Sequence, residues 1–145
     1  MKLLLVAVLG MIGVGCADVN VPAGCGQLDE KLSEYQSAIN EMKQLLDTGG
    51  GPVLRDVAIS ADGMQKKQAV MLKQCAAAII ALGPDCREYH LIGEVQDLRS
   101  SFRLIARVGM NRADPAGVEI VGAVLSSAKS KLAGSHTQKN CARNQ

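Results

Sequence analysis

The sequence predicts an all-α fold, a disulfide-stapled antiparallel bundle of four to five helices. Three observations predict it. Aliphatic side chains recur at alternating steps of three and four residues, prolines and glycines fall between those runs, and an even number of cysteines, four, lies beyond an apolar leader.

The leader comes first. Lys2 supplies a short positive region, Leu3 to Val14 form an uncharged apolar stretch, and Gly15 and Ala17 are the small residues accepted at positions −3 and −1 of a cleavage site. Residues 1–17 therefore match a secretory signal peptide, and the stretch is shorter than the roughly 20 residues a bilayer span needs. The mature chain, Asp18 to Gln145, is expected to hold no transmembrane segment. It is expected to form a single helical domain with a short polar tail over about 134–145. Cys16 after Gly15 also fits the acylation point of a bacterial envelope lipoprotein, although Gly13 stands where such signals carry Leu or another aliphatic.

In the first helical segment Leu28, Leu32, Tyr35, Ile39, Met42 and Leu46 keep steps of four and three without a miss. The second segment, 52–82, carries Ser60-Ala61-Asp62-Gly63 at its middle, residues that favour turns and caps. A break is expected there, giving a short helix at 53–60 and a longer one at 63–82 with Met64, Leu72, Cys75, Ile79 and Leu82 buried. Leu91, Val95, Leu98, Phe102 and Ile105 mark the third helix, and Val118, Val121, Leu125, Ala128 and Leu132 the fourth. Pro52, Pro84 and Pro115 fit first helical turns. Gly49-Gly50-Gly51, Gly83 and Gly109 fit helix ends.

Cys25, Cys75, Cys86 and Cys141 are the disulfide candidates, since an even count in an exported chain fits a disulfide framework. No pair has C-x-x-C spacing. In an antiparallel bundle, Cys25 before helix 1, Cys75 late in helix 2, Cys86 opening helix 3 and Cys141 beyond helix 4 all fall at one pole. Bridges Cys25–Cys75 and Cys86–Cys141 would each close a helical hairpin. Cys75–Cys86 would need helix 2 to end early, and all three connectivities stay open.

Composition excludes several function classes. Without Lys2, 15 of the 16 Lys and Arg remain against 14 Asp and Glu, too even a balance for nucleic-acid binding. With no Trp, one Phe and two Tyr, the core must be aliphatic, and few rings are free to stack on bases.

No catalytic constellation stands out. His90 and His136 could meet at the cysteine pole, but a zinc site needs three or four ligands, and solvated or locally hydrogen-bonded histidines are expected. No G-x-S-x-G elbow occurs. Gly49-Gly50-Gly51 lacks the Gly-Lys-Ser/Thr of a phosphate loop and reads as an interhelical turn.

Two features point weakly to function. Arg99, Arg103 and Arg107 form a basic ridge on helix 3, flanked by Arg87 and Arg112, while helix 1 carries Asp29, Glu30, Glu34 and Glu41. The two helices are expected to exchange surface salt bridges, or the ridge meets an anion, a headgroup or an acidic protein. Aliphatics outside the stripes (Leu45, Val70, Ile80, Ile92, Leu104, Ile120 and Val124) fit helices buried on two sides. They also fit a cavity for a small hydrophobic ligand, or self-association.

The expected function is that of a secreted, extracellular, non-enzymatic binding protein without metal or cofactor, whose partner is a protein or a small hydrophobic ligand. The alternatives are the envelope lipoprotein, located in a bacterial periplasm or envelope, and a membrane-active defence or venom protein.

Overall fold

A computed structural model describes residues 19–132, 134 and 136–143. The leader, its cleavage site and Cys16 lie outside them. Four helices form the body: α1 (Leu28–Gly49), α2 (Leu54–Ile80), α3 (Arg87–Asn111) and α4 (Pro115–Leu132). A single 3-10 turn, Gly51–Val53, links α1 to α2. At the cysteine pole β1 (Val19–Asn20) pairs in parallel with β2 (Ala142–Arg143), Val19 opposite Ala142.

The six stripe residues of α1 and the five of α3 are all buried. Acidic Asp29 and Glu30 occupy the first turn of α1, where the helix dipole favours negative charge. That helix ends at Gly50, whose φ of 62° suits a residue without a Cβ. The α4 start is capped by Asp114, whose Oδ1 accepts from the Gly117 N–H at 3.1 Å, with Pro115 as the first helical residue. Phe102 is the largest fully buried side chain. Around it the core is aliphatic, with Ile39, Leu54, Val57, Ile79, Val95, Ile105 and Leu125 wholly enclosed.

Four expectations need correction. Of the stripe expected on the second helix only Cys75 and Ile79 are buried; Met64 and Leu72 are partly buried, and Leu82 is partly buried beyond the helix end. The break at 60–63 does not exist: α2 runs unbroken from Leu54 to Ile80. Ala61 is buried on its core side while Ser60 and Gly63 face outward, so a glycine costing about 1 kcal/mol is offset by packing along the whole helix. Pro84 lies in the turn before α3, three residues ahead of Arg87, where Gly83 takes the positive φ of 90°. Gly109 does not end α3, which continues to Asn111. Its role is close approach to α2, because a Cβ there would lie 2.8 Å from both the Ala58 Cβ and the Leu54 carbonyl oxygen.

That approach makes α2–α3 the most extensive helix pair and fixes its antiparallel register, the end of α3 lying on the start of α2. The neighbours α1 and α2, α3 and α4, and α1 and α4 also run antiparallel, as the residues they bring together at each level show. Both disulfides form at one pole, Cys25–Cys75 and Cys86–Cys141, with Cα atoms 5.5 and 5.6 Å apart. The first ties the segment before α1 to α2. The second ties the chain beyond α4 to the start of α3.

Candidate functional site

The cysteine pole carries the densest polar structure. Behind Cys86, the Glu88 side chain turns inward and is 4% exposed. Its carboxylate accepts from the Cys141 N–H at 2.9 Å and the Ala142 N–H at 2.8 Å, so this buried charge is satisfied by hydrogen bonds. The Arg87 N–H donates to the Lys139 carbonyl at 2.8 Å. The tail is thus a strap across the pole, held by a disulfide, a carboxylate and backbone pairing. Of this strap the sequence predicts the Cys141 bridge, and the remainder reads as a polar tail.

Beside the strap, α1, α3 and α4 enclose an open cleft of about 270 Å³ over Leu32, Leu91 and Leu132. One rim is the Arg87–Asp29 pair, bidentate at 2.6 Å on both arms. The Arg87 hydrogen bond holds the Asp29 carboxyl below the ordinary aspartate value. The other rim is His136, whose Nε2 lies 2.7 Å from Glu94 Oε1. His136 also stacks on His90 with ring centroids 5.4 Å apart, and His90 Nε2 lies 2.7 Å from the Pro84 carbonyl. The histidines therefore meet, but face to face and each already partnered. Among the described residues no group of three or more His, Cys, Asp or Glu is arranged to hold a metal ion.

The Arg ridge lies elsewhere, along the side of α3 turned toward α2. The expected exchange with the acidic side chains of α1 is made by Arg87 and not by the ridge. Arg99 is half-buried, its Nε enclosed without a hydrogen-bond partner among the described residues. Arg103 and Arg107 are exposed and form no ion pair among the described residues. Both line two open grooves: one of about 410 Å³ with Ser100 and Leu104, the other of about 340 Å³ between α3 and α2. The second groove has Ala106 and Met110 along α3, and Asp62 and Gln65 along α2. Asp62 is already engaged by Lys66 at 2.9 Å and by the Gln65 amide at 3.0 Å. Those bonds, the Lys66 one foremost, hold its carboxyl below the ordinary value. The two arginines share the groove with Asp62 but form no ion pair with it.

Gln68 is a polar residue that sequence reading missed. It is fully buried on the core side of α2, with both amide atoms unpartnered among the described residues. It fills the gap in the expected stripe between Met64 and Leu72, so the spacing could have placed it inside.

No family model, curated protein or solved structure matches the chain. The hydrogen bonds of the pole lock the strap, with Gln138 Oε1 enclosed and unpartnered among the described residues, whereas across the α2–α3 groove Arg103 and Arg107 face Asp62, which is bonded to Lys66 and Gln65. A further small pocket, between α3 and α4, measures about 20 Å³, near the volume of one water molecule.

Proposed function

We propose that the protein is a secreted, non-enzymatic binding protein that engages an anionic partner through Arg103 and Arg107. The observation that carries this reading is the pair itself: two adjacent exposed guanidinium groups, one helical turn apart, without an ion-pair partner among the described residues and at the mouths of two grooves. A guanidinium is always charged and presents a planar fork of donors matched to carboxylate, sulfate or phosphate. Arg87 and Arg112, by contrast, are paired with Asp29 and Asp114.

Two disulfides support an extracellular setting, since such bonds persist in oxidising compartments, and the apolar leader points the same way. No helix among the described residues is long and apolar enough to cross a membrane. The open clefts and the small pocket of about 20 Å³ favour a surface contact over a small hydrophobic ligand held inside, which would need several hundred Å³.

Retention on a heparin matrix tests the reading. Arg103→Gln/Arg107→Gln should elute at clearly lower salt than the unmodified protein. Lys129→Gln/Lys131→Gln, which removes the same charge from α4, should shift far less. Equal shifts for the two pairs would reduce the effect to net charge and refute a site on the ridge.

A further inference from the structure

We infer that the outer face of the α2–α3 hairpin is a docking surface for an anionic lipid bilayer, an inference that rests on the anion-binding reading of Arg103 and Arg107 and names its partner. Two properties meet on that face. The first is charge. In α1, Lys31 and Lys43 stand against five acidic residues, whereas α2 and α3 together carry eight Lys and Arg against five Asp and Glu. Of the five acids on the hairpin, Glu88 and Glu94 are committed at the cysteine pole and Asp62 is bridged by Lys66. The basic excess therefore stands away from that pole.

The second property is exposed apolar surface in the same place. Ile59, Val70 and Met110 are 52%, 58% and 42% exposed. On α2, Ile59, Lys66, Val70 and Lys73 follow one another at steps of seven, four and three, which keeps them on one helix face. That face is opposite the buried line of Val57, Ala61, Gln68, Cys75 and Ile79. Met110 lies in the α2–α3 groove with Arg103 and Arg107. Cations alternating with half-exposed aliphatics over the roughly 21 Å from Ile59 to Lys73, with Lys66 also bridged to Asp62, describe a surface that lies in the headgroup plane. There the aliphatic side chains reach the acyl boundary and the cations meet phosphates. A soluble polyanion would use the arginines and leave the aliphatic side chains in water, so the lipid surface is the better match.

Co-sedimentation of the oxidised protein with vesicles tests this, using pure phosphatidylcholine and phosphatidylcholine with about 30% phosphatidylglycerol at about 0.1 M salt. Binding should require the anionic lipid. It should weaken about thirtyfold in Arg103→Gln/Arg107→Gln, at about 1 kcal/mol per cation. It should weaken about fivefold in Ile59→Ser/Val70→Ser, substitutions at exposed positions that leave the core intact. The lipid-composition arm uses the unmodified chain, so it holds even if a variant fails to fold. Equal binding to both vesicles, or no change in Ile59→Ser/Val70→Ser, overturns the inference. Arginine-dependent retention on heparin without vesicle binding overturns it while leaving the anion-binding reading intact; failure on both probes removes both.

Discussion

Gly109 of α3 lies against Ala58 of α2 so closely that a methyl group at position 109 would come within 2.8 Å of the Ala58 Cβ. The Leu54 carbonyl is equally near, so one side of the contact is backbone and has little room to yield. Gly109→Ala should therefore destabilise the fold by about 1–3 kcal/mol. On an unobstructed helix the same change would stabilise by about 1 kcal/mol. Urea unfolding measures the sign, and a gain in stability would show that the two helices do not approach this closely.

Gln68 has the opposite character. Its carboxamide is fully enclosed, with neither nitrogen nor oxygen bonded among the described residues, and an unmet buried amide costs about 1–3 kcal/mol. Gln68→Leu keeps nearly the same volume and removes that cost, so it should raise the urea midpoint. A fall in the midpoint would mean that the amide is satisfied in solution.

The Asp29–Arg87 pair makes stability depend on pH at the acid end. Arg87 holds the folded-state pKa of Asp29 below 3.8, chiefly by its hydrogen bond. The stabilisation is then complete above the unfolded value and is lost as pH falls through the folded one, a window below about pH 4. Since the Asp29 side chain is 67% exposed, the pair is worth only about 0–1 kcal/mol. A carboxyl carbon titration by NMR should place Asp29 below 3.8, and Arg87→Gln should return it to the ordinary range. An unchanged midpoint in that variant would show that the pair does not form.

The helices were legible because each buried position announces itself by period. The stripes of α1 and α3 needed no tertiary information, since every member is aliphatic or aromatic and no competing signal interrupts them. The α2 helix was misread at Ser60-Ala61-Asp62-Gly63 because turn propensity is local, whereas the contacts that keep α2 continuous, Ala61 inside and Ala58 under Gly109, come from α3. Gln68 could have been placed inside by its spacing, whereas Glu88 was invisible for a related reason. A buried polar side chain looks like a surface one until its surroundings are known, and the partner of Glu88 is backbone 53 residues away. The strap was hidden by its own polar composition. Of the functional surface, the Arg ridge showed as an i, i+4 repeat, but which arginines lack partners depended on where Asp29 and Asp62 came to rest.

The outward placing of the α2–α3 face depends on which cysteines are joined, because Cys25–Cys75 sets α1 against the inner side of α2 and Cys86–Cys141 closes the pole behind α3. Each bridge spans 50 or more residues, a separation for which loop closure contributes about 4 kcal/mol. Peptide mapping of the unreduced native protein by mass spectrometry reads the pairing directly. Fragments joining Cys25 to Cys75 and Cys86 to Cys141 are the result predicted here; a Cys75–Cys86 linkage or four free thiols would contradict it.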